Sequence, residues 1–295
     1  MFPSFLPNSV KQLKDSSAVN LAQKIKQSLI STPLHPQPIA TAYLQQGKSK
    51  TAKPILLLHG FDSSLLEYRH LIPHLAQKNP TWAIDLLGFG FTERISGLKY
   101  QPETIRTHLH CFWKSLINQP VIIIGASMGG AVAIDFTIAH PEAVAKLILI
   151  DSIGFQGSFP LGKLLFPPLD YLAVEFWRQR KLQALFWGNF LGKLDPREIE
   201  AIRCSTLSFE MVGWDEALIS FTKSGGYSHV KEFIPQISKP TLILWGEEDE
   251  MLGREDASKF RDEIAQSKLI WIEKAGHVPH YDQPEITAQH ILQFC

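Results

Sequence analysis

Three short runs in this chain are apolar at every position: Ile55-Leu56-Leu57-Leu58, Val121-Ile122-Ile123-Ile124 and Leu147-Ile148-Leu149-Ile150. A strand with one wet face alternates polar and apolar residues, so unbroken runs of this length belong to strands covered on both faces. In an α/β protein helices supply that cover, and strand and helix alternate along the chain. This rhythm begins after Lys53-Pro54. Strands are expected at Ile55 to His59, Trp82 to Asp85, Val121 to Gly125, Leu147 to Asp151, Thr241 to Trp245 and Leu269 to Ile272. Helical stretches fall between them near 65–77, 102–117, 128–140, 255–266 and 284–294. The fold class is therefore α/β with a mostly parallel sheet.

Two stretches fall outside the rhythm. Residues 1–50 read as an N-terminal extension, in which Ala18, Leu21, Ala22, Ile25 and Leu29 recur at the spacing of an amphipathic helix. Lys11, Lys14, Lys24 and Lys26 accompany it, and Pro33, Pro36 and Pro38 lead to a strand at Ala40 to Gln45. The plain reading is a helix docked on the body with a solvated basic side; the sharper one is weak attachment to an anionic membrane surface. Residues 152–237 interrupt the alternation just after a strand and are rich in aromatics, among them Phe155, Phe159, Phe166, Trp177, Phe190, Trp214 and Phe221. An insertion there emerges at the carboxyl end of the sheet, over the ligand crevice, and reads as a helical cap. The remaining body is residues 51–151 and 238–295. Most of the cap aromatics are expected to form its own core, yet so apolar a cap favours a hydrophobic pocket.

Directly after Val121 to Ile124 comes Gly125-Ala126-Ser127-Met128-Gly129, followed by a helix-forming stretch. That order holds a serine on a sharp strand-to-helix turn, where its hydroxyl stands clear above the sheet. Side chains at the two glycine positions would clash with the neighbouring strand and helix.

A serine hydroxyl is a weak nucleophile until an imidazole takes its proton and a carboxylate orients that imidazole. Of 11 histidines, His277 sits in Gly276-His277-Val278-Pro279, in a loop directly after the last expected strand. That places it at the same edge of the sheet as Ser127. For the acid, Asp249 follows the preceding strand; Glu247, Glu248, Glu250 and Asp151 are rivals that spacing does not eliminate. The developing oxyanion needs backbone N–H donors already in place. Met128, at the start of the helix, supplies one. The second comes from His59-Gly60-Phe61-Asp62, with Phe61 preferred and Asp62 its runner-up. His59 precedes the turn and reads as a structural hydrogen-bonding residue.

The order Ser127, Asp249, His277, together with His59-Gly60-Phe61, Asp85-Leu86-Leu87-Gly88-Phe89-Gly90, the Gly125–Gly130 turn and Trp245-Gly246-Glu247-Glu248-Asp249, resembles the α/β-hydrolase fold family over roughly residues 50–295. The resemblance implies a central sheet of about eight strands flanked by helices, with a helical cap. It also implies Asp249 as the acid and a structural role for Asp85. Members that attack alkyl carbons carry an aspartate at the turn; Ser127 implies acyl chemistry. The loop His59-Gly60-Phe61-Asp62-Ser63 differs from the His-Gly-Gly-Pro-Gly of proline iminopeptidases, whereas Ser-Met-Gly-Gly looks like esterases and monoacylglycerol lipases. Carbon–carbon bond hydrolases of the fold stay open.

The function expected is a serine hydrolase acting through an acyl-enzyme on a small, partly apolar ester. A ligand receptor of the same fold and an acyltransferase are the alternatives. Twenty-nine basic residues balance 29 acidic ones, which argues against nucleic acid. Cys111, Cys204 and Cys295 are scattered, as in a reducing compartment, so cytoplasmic is the default. No basic stretch followed by an apolar core opens the chain, and no secretory signal is expected. His70 and His74 lie four apart with Pro73 between them, and His108 and His110 point to different sides of a helix. Gly88-Phe89-Gly90 lacks the spacing of a dinucleotide loop. No metal or cofactor is expected.

Overall fold

A computed structural model of the chain describes residues 1–155, 166–191 and 195–295. In chain order the elements are α1 (Ser16–Ala22), β1 (Lys26–Thr32), β2 (His35–Gln46), β3 (Ile55–Leu58), α2 (Ile72–Leu75), β4 (Thr81–Ile84) and α3 (Pro102–Leu116). There follow β5 (Val121–Ala126), α4 (Met128–Ala139), β6 (Val144–Ile150), α5 (Leu169–Leu191), α6 (Pro196–Thr206) and α7 (Trp214–Ser224). β7 (Thr241–Gly246), α8 (Glu255–Glu263), β8 (Ser267–Ile272), α9 (Pro279–Asp282) and α10 (Pro284–Phe294) complete the chain. The strands form one eight-stranded sheet in the order β1-β2-β4-β3-β5-β6-β7-β8, antiparallel at β1–β2 and β2–β4 and parallel from β4 to β8.

The unbroken apolar runs are buried on both sides, as two-faced cover requires. Alternate side chains enter different layers. Leu56, Leu58, Ile123 and Leu149 pack with Phe112 of α3 and Phe136 of α4. Ile55, Leu57, Ile122, Ile124 and Ile150 pack on the other face with Leu21 of α1, Leu75 of α2 and Ile291 of α10.

Two expected helices are reshaped. The spacing of Ala18 to Leu29 suggests one helix, but α1 stops at Ala22 and Lys26–Thr32 is an edge strand paired to β2, with Leu29 in solvent. Asp15 caps α1 by accepting from Ser17 N–H at 2.9 Å, and Ala18, Leu21 and Ala22 face inward. The stretch 65–77 breaks into a 3₁₀ turn at Leu65–Tyr68 and the short α2. Pro73 lacks the N–H that would bond back one turn, which prevents a continuous helix.

Between β6 and β7 the alternation gives way to α5, α6 and α7. Residues 156–165 and 192–194 of this insertion lie outside the described residues, and so do Phe159 and the side chain of Phe190. Phe209, Trp214, Phe221 and Tyr227 are buried, whereas Phe166 and, along α5, Tyr171, Phe176, Phe186 and Trp187 are exposed. No described helix is long and apolar enough to cross a membrane.

Candidate active site

Ser127 occupies the turn between β5 and α4 with φ 52° and ψ −119°, a backbone conformation that non-glycine residues rarely adopt. Its N–H donates to Ile150 O at 3.0 Å, and its carbonyl accepts from Gly130 and Ile153 N–H, both at 3.0 Å. The tightness of the turn explains its glycines. A Cβ on Gly125 would lie 2.1 Å from Gly129 O, one on Gly129 2.0 Å from Leu58 O, and one on Gly130 2.1 Å from Ser152 Oγ. Only hydrogen fits at these positions.

The loop after β8 brings His277 to the serine, with Nε2 3.0 Å from Ser127 Oγ. Its Nδ1 lies 3.0 Å from Asp249 Oδ2. An ionised carboxylate only accepts, so Nδ1 carries the proton and Nε2 is left to accept from the serine hydroxyl. The other Asp249 oxygen, Oδ1, accepts from Met251 N–H at 2.8 Å and Leu252 N–H at 3.1 Å. Burial opposes ionisation of Asp249, but the hydrogen bond and charge of His277 and these two amides outweigh it and lower the pKa.

The rival acids separate by environment. Glu248 and Glu250 are exposed and Glu247 is half-buried, whereas Asp249 is buried. Asp151 is buried too, at φ 38°, with Oδ1 accepting from Gly246 N–H at 2.9 Å. Burial first, and then the nearby Asp249 charge, push its carboxyl well above the usual range. Two neighbouring carboxyls are thus pushed in opposite directions, Asp151 up by burial and Asp249 down by His277 and the amides.

The loop after β3 lies against the serine, since a Cβ on Gly60 would stand 3.5 Å from Ser127 Cβ. Phe61 and Asp62 follow on this loop, and Met128 opens α4, whose first N–H groups have no acceptor within the helix. His59 is fully buried, donating from Nδ1 to Gly60 O at 2.8 Å and accepting Leu86 N–H at Nε2 at 3.1 Å. Asp85 accepts from Leu65 N–H at 2.6 Å and Phe91 N–H at 2.8 Å, tying two loops together. Both roles are structural.

A cavity of about 340 Å³ opens over Ser127 and His277, lined also by Phe61, Asp62, Trp177, Lys181, Arg69 and Tyr281. A second, of about 240 Å³, shares Phe61 and Trp177 with it and runs between Val174, Leu218 and Ile219. Its wall is mostly apolar and comes from α5 and α7.

A profile described as the alpha/beta hydrolase family matches residues 55–290. The chain belongs to that family. It is 33% identical to the alpha/beta hydrolase domain-containing protein VTE7 of Arabidopsis thaliana, over 99% of this chain and 90% of that protein. It is also 28% identical to a 2-hydroxy-6-oxo-6-(2'-aminophenyl)hexa-2,4-dienoic acid hydrolase of Metapseudomonas resinovorans, over 95% of each. Among solved structures it is similar to a thermophilic esterase from Thermogutta terrifontis, with a TM-score of 0.71 and 25% identity, covering 91% of this chain and 97% of that one.

Three groups of this alpha/beta hydrolase carry no local sequence signal. Glu67 accepts Gly60 N–H at 3.0 Å and meets His280 Nε2 at 3.1 Å. Burial alone would raise its carboxyl; His280, then His59 and Ser63, hold it instead at about 2. Asp62 carries partners from the insertion. The third group lies at the opposite end of α4, where the His110 and His140 rings stack with centroids 3.9 Å apart. With Glu142 they place three potential ligand atoms within 4.8 Å of one another. Of the two histidine pairs close in sequence, His70 contacts Asp15 at 3.2 Å and His74 contacts Glu285 at 3.8 Å, while His108 Nε2 lies 2.8 Å from Thr41 Oγ1 and His110 belongs to this cluster.

Proposed function

We propose that this hydrolase is a serine esterase that cleaves a small, partly apolar ester through an acyl-enzyme. The observation that carries the reading is the unbroken line Ser127 Oγ, His277 Nε2, His277 Nδ1, Asp249 Oδ2, with both links at 3.0 Å. Ser127 Oγ attacks the ester carbonyl while His277 Nε2 takes the hydroxyl proton. Asp249 fixes the tautomer and stabilises the imidazolium. The Phe61 and Met128 N–H groups hold the oxyanion, and Asp62 N–H is the runner-up for the first of them. The tetrahedral adduct collapses, His277 returns the proton to the leaving alcohol, and water, deprotonated by the same ring, releases the acid. The apolar part of the substrate lies beneath the insertion, which acts as a cap; the second cavity behind Phe61 and Trp177 supports this placement.

The test is release of p-nitrophenol from esters of increasing acyl length by the wild type and Ser127→Ala. Sustained release that falls about 10⁶-fold in the variant is expected. A tenth of the activity retained by the variant would remove Ser127 from the chemistry. One stoichiometric burst without turnover would move the reading to a receptor or, with an added alcohol acceptor, an acyltransferase. The likeness to the dienoic acid hydrolase favours one further reading, cleavage of a carbon–carbon bond beside a ketone by the same serine. Turnover of such a diketone acid in place of esters would establish it.

A further inference from the structure

Asp62 is buried, sits next to Phe61, and adopts a left-handed backbone with φ 48°. Its carboxylate collects three donors from two helices of the insertion. Trp177 Nε1–H of α5 donates to Oδ2 at 2.8 Å, and Trp214 Nε1–H of α7 donates to Oδ1 at 3.0 Å. Lys181 Nζ of α5 lies 2.7 Å from Oδ2 and also donates to the Asp62 backbone carbonyl at 3.2 Å. Both carboxylate oxygens and the carbonyl are therefore held from above. One residue beyond Phe61 on its other side, Gly60 N–H is held from below by Glu67. The peptide that presents Phe61 N–H is strung between an anchor in the body and an anchor in the cap.

We propose that Asp62 is a positioning residue, latching the cap helices to the β3 loop so that the Phe61 N–H points at the oxyanion only when those helices are seated. The inference rests on the serine-hydrolase reading. A carboxylate in a left-handed conformation persists where its surroundings over-determine it, and here the over-determining groups all come from the cap. Charge-assisted bonds to a buried carboxylate are short and directional, so release of α5 or α7 frees the loop beside the serine. Trp177 adds a second connection, because the same ring lines both cavities. Substrate that fills the space behind it presses on the latch itself. Cap seating and oxyanion stabilisation thereby become one event, and water is excluded before the carbonyl is polarised.

The experiment compares Asp62→Asn, Lys181→Met and Trp214→Phe with the wild type. For each protein, kcat and KM for p-nitrophenyl butyrate, the Ki of an alkyl boronic acid and the Tm are measured. The boronate forms a tetrahedral adduct on the serine and reports donor alignment, which a planar ester in its ground state does not. Asp62→Asn is expected to lower kcat by about 10- to 100-fold, short of the loss of a whole donor, with KM within about threefold. The boronate Ki weakens by the same factor, and the other two variants fall on the same line with smaller changes. A loss of Tm with kcat and Ki unchanged would reduce Asp62 to a structural tie, and a rise in KM alone would make it a binding residue; either overturns the latch. If Asp62→Asn does not fold, the two cap-side variants carry the comparison. If the wild type neither turns over esters nor binds boronate, the hydrolase reading has failed, and amide exchange then decides the latch. Faster exchange at Phe61 in Lys181→Met sustains it, and unchanged exchange rejects it.

Discussion

Two turns meet over the same point in space, and they are built by opposite means. The β5–α4 turn that carries Ser127 is shaped by what is missing: hydrogens at Gly125 and Gly129 let main chains approach, and the hydrogen at Gly130 admits the Ser152 side chain, where a Cβ would stand about 2 Å from another atom. The β3 loop that carries Phe61 is shaped by polar side-chain partners, with Glu67 on one side and Trp177, Lys181 and Trp214 on the other. The first turn is a steric solution, closed against β3 at Leu58 and against Ser152. The second is an electrostatic one, whose donors lie up to 152 residues away. On the proposed reading Ser127 is a nucleophile that must not move and Phe61 N–H an oxyanion donor that can be assembled when the substrate arrives, and the two constructions suit those two needs.

Substitutions sharpen the contrast. Asp249→Asn keeps the side chain's shape but lets His277 adopt the wrong tautomer, so kcat should fall about 10⁴-fold with little change in Tm. Steady-state kinetics on an activated ester read this directly. Gly129→Ala drives a methyl into the Leu58 carbonyl and should lower stability by about 3 kcal/mol, whereas Gly60→Ala meets its nearest atoms at 3.4 and 3.5 Å and should keep the wild-type Tm. Equal losses in the two variants would erase the difference between the turns.

Glu67→Gln addresses the electrostatic turn. The folded-state pKa is about 2 against 4.5 for the unperturbed group, so the ionised side chain stabilises the fold fully above about pH 4.5, and that contribution disappears as pH falls toward 2. The variant should be less stable at neutral pH by about 2 to 3 kcal/mol and should show a flatter pH dependence between those limits, as followed by urea denaturation. Asp151→Asn should do least. Burial pushes its carboxyl toward the neutral form, so an amide that still accepts Gly246 N–H is expected to change kcat by less than about threefold, beside the large loss at Asp249. A comparable loss at both aspartates would mean that they share the charge.

What could be read without coordinates follows the range of the interaction behind each feature. β3, β5 and β6 are visible as unbroken apolar runs because two-faced burial forbids polar positions. β1 is not, since Lys26–Thr32 is an edge strand with Leu29 in solvent, and only its pairing with β2 makes it a strand. Residues 18–29 and 65–77 both carry helical apolar spacing, yet α1 stops at Ala22 where pairing with β2 takes over, and Pro73 divides the second stretch.

By itself the sequence determined the two-faced sheet, the Ser127 turn and the loop position of His277, because these follow from burial periodicity and from steric rules acting over a few residues. Tertiary structure alone decided which of two buried aspartates meets His277, that Glu67 reaches Gly60, and that two tryptophans and a lysine of the insertion converge on Asp62. Those outcomes depend on desolvation and on hydrogen bonds formed only in the folded chain, most of them between segments far apart in sequence, and neither has a signature in the order of neighbouring residues.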